Sequence, residues 1–283
     1  MLGFIGGSGL YQIEEISNVE FVTISSSFGK PSDDILIGEL DGDKIAFLPR
    51  HGRMHTLNPS EINYRANIWA LKSAGVKAIF SVSAVGSLKD EIVPGHMVIP
   101  EQFFDRTKDR PSTFFEDGIV GHVSFAHPFS GYMRTLLIDA CQEVNATHHV
   151  GGTYVCMEGP MFSTIAESNF YRSLDASVIG MTNLQEAKLA KEAEIDYATL
   201  ALSTDYDCWH PDHDAVTTDQ VLEVMKHNVA TSQKVLIAAV NKFDFEKELE
   251  NENVLKNAIM TNPEKIKPEA LERLKPIVGK YFS

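Results

Sequence analysis

Ala176-Ser-Val-Ile179-Gly-Met-Thr-Asn-Leu184-Gln-Glu-Ala-Lys-Leu-Ala-Lys-Glu-Ala193-Glu-Ile-Asp-Tyr197-Ala-Thr-Leu-Ala-Leu-Ser203 is the stretch that decides the fold. A short apolar run at 176–179 and a second at 197–203 flank a helical pattern over 184–193, one instance of a strand and helix alternation that recurs along the chain. Working outward, strand-like runs recur at 2–5, 44–48, 78–82 and 96–99, and helical patterns at 63–73, 132–144 and 164–174. The alternation predicts an α/β protein: a single-domain, three-layer sandwich with a mixed, mostly parallel central sheet flanked by helices. Ligands of such sheets gather at strand ends, where loops and helix N-termini offer free N–H groups. A long amphipathic helix follows at 219–240. Residues 244–283 are rich in Glu, Lys and Asn and carry Leu249, Val254, Leu255, Ile259, Leu271, Leu274 and Ile277 at helical spacing. The expected division is a main domain over 1–243 and a C-terminal helical extension over 244–283, packed on the body or on a neighbouring subunit.

The 283 residues are 43% hydrophobic and 23% charged, enough for a substantial core. Lys and Arg number 25 against 39 Asp and Glu, a net charge of −14. Such a surface repels nucleic acid and anionic membranes. A small phosphate-like ligand requires the positive groups to be gathered at one site. Cys141, Cys156 and Cys208 stand far apart with no CxxC pair, so neither a disulfide framework nor a structural zinc site is expected, and a reducing cytoplasm fits best. The N-terminus lacks a signal peptide's basic start, and no run approaches about 18 apolar residues.

Gly6-Gly7-Ser8-Gly9 follows the first strand and suits either a phosphate cradle or a tight structural turn. It lacks the third glycine of a dinucleotide fingerprint, and Phe28-Gly29-Lys30 is no phosphate loop because Pro31 follows. Pro49-Arg50-His51-Gly52-Arg53 gathers two guanidinium groups and an imidazole at another strand end, for phosphate binding or for surface salt bridges. Ser81-Val-Ser83-Ala84-Val-Gly86-Ser87 adds hydroxyls and small residues. In Met157-Glu-Gly-Pro-Met-Phe162-Ser163-Thr164, Phe162 is placed either to lie on a flat heterocycle or to fill the core. Asp205 and Asp207 follow an apolar strand and would point to one side if strand geometry persists. One of them suits a general acid or an acceptor for an exocyclic amine. His210 and His213 match no common zinc spacing and read as a hydrated loop; no metal site is expected.

With these segments in order, the sequence resembles the trimeric nucleoside phosphorylase family, and within it the S-methyl-5′-thioadenosine phosphorylase branch. The carriers, from about residue 2 to 240, are Ile5-Gly-Gly-Ser-Gly-Leu10, Phe28-Gly-Lys-Pro-Ser32, Arg50-His-Gly-Arg53, Asn63-Tyr-Arg-Ala-Asn-Ile-Trp-Ala70, Gly86-Ser-Leu88, Glu158-Gly-Pro160, Ala166-Glu-Ser168, Met181-Thr182 and Thr204-Asp-Tyr-Asp-Cys-Trp209. The resemblance implies a pentosyltransferase of purine and methionine salvage, in which inorganic phosphate attacks C1′ of a purine nucleoside as the glycosidic bond breaks. It implies phosphate as co-substrate with no cofactor, and an assembly of three or six identical subunits.

Carried over residue by residue, it implies phosphate held by Ser8, Arg50, His51, Ser83, the Ala84 amide and Thr204. Met181 would lie against the ribose, Phe162 and Ser163 near the base, and catalytic Asp205 and Asp207 at N7 and the 6-amino edge. Thr218, Val221 and Leu222 would form the 5′-methylthio pocket, with His122 entering from an adjacent subunit. Thr218 stands where an aliphatic residue is expected. Relatives that act on 6-oxopurines pair an Asn with a Glu where this chain has Asp205 and Ser163, so a 6-amino purine is favoured; cleavage of inosine, guanosine or methylthioinosine is the alternative. Gln185 replaces the proline usual before the glutamate corresponding to Glu186, and a looser entry to that helix is expected.

Overall fold

In the computed structural model, which describes residues 1–7, 10, 13–211 and 218–282 (for 218–223, 225 and 227 the main chain only), two strands organise the sheet. β1 (Leu2–Gly6) is flanked by β4 (Asp43–Pro49) and β5 (Ala78–Ser87), both parallel to it. β2 (Ser17–Val22) and β3 (Ile35–Leu40) extend that side antiparallel. β11 (Asp196–Asp205) runs parallel to β5 along nearly its whole length and pairs on its other edge with β6 (Met97–Ile99), which pairs with β8 (His148–Val150). β10 (Val178–Gly180) meets the far end of β5 antiparallel and continues parallel to β9 (Thr153–Met157), which pairs with β7 (Gln102–Arg106). Six of these ten pairings are parallel. The mixed, mostly parallel sheet expected from the alternation is the one observed.

Period-two alternation puts a core on each face of this sheet. Leu2, Phe4, Phe47, Phe80 and Leu200 face α2 (Gly131–Glu143) and α5 (Thr218–Lys242). Ile5, Leu48, Ile79 and Tyr197 face α1 (Tyr64–Ser73) and α4 (Asn183–Glu192). Helix starts follow their capping residues: Asn63 and Ser130 accept from the first turns of α1 and α2, and Thr164 with Glu167 forms a capping box on α3 (Ile165–Ser173). Residues after 244 form short helices, including α6 (Pro268–Arg273) and α7 (Lys275–Val278). They do not stand apart: Leu255, Leu274 and Ile277 lie in the same core as α1 and α4, and Trp69 Nε1 donates to the Arg273 carbonyl at 2.9 Å.

Five strands escape the sequence reading. β2 and β7 are mostly exposed and polar, so they lack an apolar run, and β8 has only three residues. β5 extends five residues beyond the apolar run at 78–82, into the small-residue segment. This extension creates the site. One edge of β5 is bonded to β1 up to Ser81 and to β10 only from Gly86 onward, so among the described residues no strand pairs with that edge at 82–85. The gap is a switch point in the sheet, where ligands of α/β folds settle.

Candidate active site

A cleft of about 810 Å³ opens over that gap, lined by Val82, Ser83, Ala84, Val85 and Gly86. At one end stands Arg50, just beyond β4, buried to 2% exposure. Its Nε and Nη2 donate to the two carboxylate oxygens of Glu186, Nη2 at 3.1 Å. Nη2 also donates to Ser81 Oγ and Nη1 to the Val82 carbonyl at 2.9 Å. Burial disfavours the Arg50 charge, but Glu186 more than offsets this and raises its pKa. The expected open fork is therefore already occupied by a buried carboxylate, leaving one Nη1 proton for a ligand. Beside it, Ser83 Oγ is buried without a hydrogen bond among the described residues.

His51 Nδ1 lies 2.8 Å from the Leu57 carbonyl, which only accepts, so Nδ1 carries the proton. Burial and the neighbouring Arg50 charge push the His51 pKa down to about 4. The ring is neutral at pH 7 and keeps an acceptor at Nε2. The expected second donor is thus an acceptor, suited to the hydroxyl of hydrogen phosphate. Arg53 is directed away: it pairs with Asp33 at 2.8 Å and Asp34 at 3.1 Å and covers the Phe21 ring.

Asp205 ends β11, and strand geometry does not persist to Asp207, whose φ is +52°. The two carboxylates meet through a turn instead, with the Asp207 amide donating to Asp205 Oδ1 at 2.8 Å. Gly86 makes room for them: a Cβ there would lie 2.8 Å from Asp205 Oδ1 and 3.3 Å from Asp207 Cβ. Burial raises the Asp205 pKa to about 6, against the hydrogen bonds from Thr204 and the Asp207 amide. Burial also raises that of Asp207, opposed by nearby serine hydroxyls including that of Ser163. Thr204, expected at the phosphate, gives its hydroxyl to this end: Oγ1 is 2.6 Å from Asp205 Oδ2.

Met181 and half-exposed Phe162 line the cleft between these ends. Ser163 does not line that cleft; its carbonyl receives Cys208 Sγ at 3.3 Å. His122 is exposed and outside the cleft, its amide bonded to the Ala258 carbonyl at 2.9 Å. Ser8 and His213 lie outside the described residues, as do the side chains of Thr218, Val221 and Leu222. His210 stacks on Tyr206 at 4.6 Å, and no group of three metal-ligating side chains occurs among the described residues.

Sequence reasoning missed Thr182 and left Glu186 without a role. Thr182 is the N-cap of α4 and lines the cleft; its hydroxyl donates to Asn183 Oδ1 at 3.2 Å and caps no helical amide. Glu186 shares a face of α4 with Asn183, Ala187 and Ala190, and a lone charge on that apolar stripe signals a buried partner. The looser entry expected from Gln185 is not found. Gln185 is 1% exposed; its amide donates to Thr107 Oγ1 at 2.8 Å and its oxygen accepts from Arg110 at 3.3 Å.

The sequence profile of the Phosphorylase superfamily matches residues 1–241. An S-methyl-5′-thioadenosine phosphorylase of Chloroflexus aurantiacus is 54% identical, over 100% of this chain and 98% of its own. One from Geobacter sulfurreducens is 52% identical over 99% of each. Among solved structures, a methylthioadenosine phosphorylase from an antarctic soil metagenomic library superposes with a TM-score of 0.93 at 48% identity, covering 98% of both chains. The Schistosoma mansoni methylthioadenosine phosphorylase in complex with adenine gives 0.87 at 33% identity, over 92% of this chain and 98% of that one.

Proposed function

The chain belongs to the phosphorylase superfamily, and from that premise we propose that it cleaves S-methyl-5′-thioadenosine with inorganic phosphate, yielding adenine and S-methyl-5-thio-α-D-ribose 1-phosphate. The observation that carries the reading is the pairing, within one cleft, of an anion-binding end with a buried carboxyl that holds its proton to about pH 6.

Phosphate is bound by the remaining Nη1 proton of Arg50, Ser83 Oγ, the Ala84 amide and His51 Nε2, with Thr182 beside them in the cleft wall and Ser8 from the glycine loop. Glu186 already matches the Arg50 charge, so the phosphate dianion keeps much of its own. That charge stabilises the oxocarbenium-like transition state at C1′. A phosphate oxygen bonds to C1′ as the bond from C1′ to N9 breaks and its electron pair passes into the purine. Asp205 delivers a proton to N7, which makes adenine a neutral leaving group, and Asp207 accepts from the 6-amino group. Met181 lies on the ribose and Phe162 on the base, with Ser163 steadying Asp207. Thr218, Val221 and Leu222 hold the methylthio group, with His122 from a neighbouring copy.

We further infer a homotrimer; exposed Met161, Ile165 and Phe170 supply apolar surface for it. No described helix is long and apolar enough to cross a membrane, and no cofactor enters this chemistry. The testing experiment compares turnover of methylthioadenosine, adenosine, methylthioinosine and inosine by the purified chain, with and without phosphate. Fastest release of adenine from methylthioadenosine is expected. Faster cleavage of the inosines would assign the cleft to 6-oxopurines, and equal release without phosphate would make the protein a hydrolase.

A further inference from the structure

Three separate segments build the nucleoside half of the cleft: 58–61 with Asn58, Pro59 and Glu61, 157–162 with Met157, Pro160 and Phe162, and 179–182 with Met181. All three converge on Arg110, which does not itself line the cleft and is 8% exposed. Its Nε donates to Glu158 Oε1 at 3.0 Å and its Nη2 to the Glu158 carbonyl and Ser60 Oγ. Nη1 donates to the Met181 carbonyl and reaches Gln185 Oε1 and Tyr64 Oη at 3.3 Å. These bonds use all five guanidinium protons, so none remains for a ligand. Glu158 answers by accepting from Ser60 Oγ and, at 2.7 Å, from the Lys108 amide.

The consequence reaches the substrate side through Met181. Gly159 has φ +64°, and a Cβ on it would lie 2.4 Å from Met181 Sδ. The turn that carries Phe162 is thus in contact with Met181, and Arg110 holds the carbonyls of Glu158 and Met181 together from behind. We propose that Arg110 is a positioning residue for the nucleoside, setting the spacing between Met181 and the Phe162 turn while leaving the phosphate end untouched. This rests on the phosphorylase reading above. A lysine cannot reproduce it, because a single ammonium does not span acceptors that a planar fork bridges.

The test compares R110K and R110A with the wild type, measuring KM separately for methylthioadenosine and phosphate, together with kcat and melting temperature. Both variants are expected to raise the nucleoside KM at least about tenfold, with the phosphate KM within about threefold of wild type. Added guanidinium ion should recover part of the loss in R110A and none in R110K. A nucleoside KM within about twofold of wild type, or equal rises in both constants, would overturn the proposal. If R110A does not fold, R110K and E158Q read the same split. If the wild type releases no adenine with phosphate, the parent reading fails, and calorimetric affinities still decide this one. Weaker adenine binding in R110K with unchanged phosphate binding supports it, and equal adenine binding contradicts it.

Discussion

The two ends of the cleft treat buried charge in opposite ways. At the phosphate end the Arg50 guanidinium meets Glu186 bidentately, and Ser81, Tyr197 and Asn183 satisfy the surrounding atoms. At the base end Asp205 and Asp207 share a turn with no ion-pair partner for either among the described residues, so hydrogen bonds alone oppose burial and it still raises both pKa values. One end is charge-balanced before any ligand arrives and offers hydrogen bonds in fixed directions. The other holds a carboxyl whose pKa burial raises to about 6. The proposed phosphorolysis uses both: an anion that keeps much of its charge below the sugar and an acid above the leaving base.

The largest effect should come from removing the proton. Asp205→Asn is expected to lower adenine release by about 10²- to 10⁴-fold in a steady-state assay. The same change should stabilise the fold near pH 7. A carboxyl raised to about 6 favours its neutral form, so its contribution is full in acid and is lost as pH rises through about 6. Asparagine escapes that loss, worth up to about 3 kcal/mol in denaturant titrations at pH 7 and little at pH 4. Loss of activity without a gain in neutral-pH stability would break the contrast between the ends.

Glu186→Ala should act in the reverse sense. It strands the Arg50 charge in the core and should cost about 3–5 kcal/mol of stability. Replacing Arg50 and Glu186 together by Met should recover much of that stability while phosphate saturation stays lost, as measured by melting and by phosphate KM. A smaller effect is expected of Gln185→Pro. It removes the contacts to Thr107 and Arg110 at a helix turn that tolerates proline, and should cost on the order of 1 kcal/mol. Nucleoside KM should rise slightly, because Arg110 keeps its other partners.

Arg50, His51, Asp205 and Asp207 were legible because strand ends announce themselves: an apolar run stops and polar groups follow at once. The parallel α/β core was legible for the same reason. What each group does was less so, since it depends on partners remote in the chain. Arg50 and Glu186 are 136 residues apart, and nothing local shows that the fork is occupied. Thr204 and Thr182 both follow apolar runs and precede polar residues, yet Thr204 gives its hydroxyl to Asp205 and Thr182 gives its own to Asn183 at the start of α4. Gln185 looked like a weakened helix entry until Arg110 supplied its partner.

The contrast is tested most directly by difference infrared spectroscopy of the ligand-free protein, wild type minus D205N, across a pH titration. A protonated-carboxyl band belonging to Asp205 that disappears with a midpoint near pH 6 is the predicted result. An Asp205 already ionised at pH 5, with no such band, would contradict the account, because the base end would then hold no proton to give.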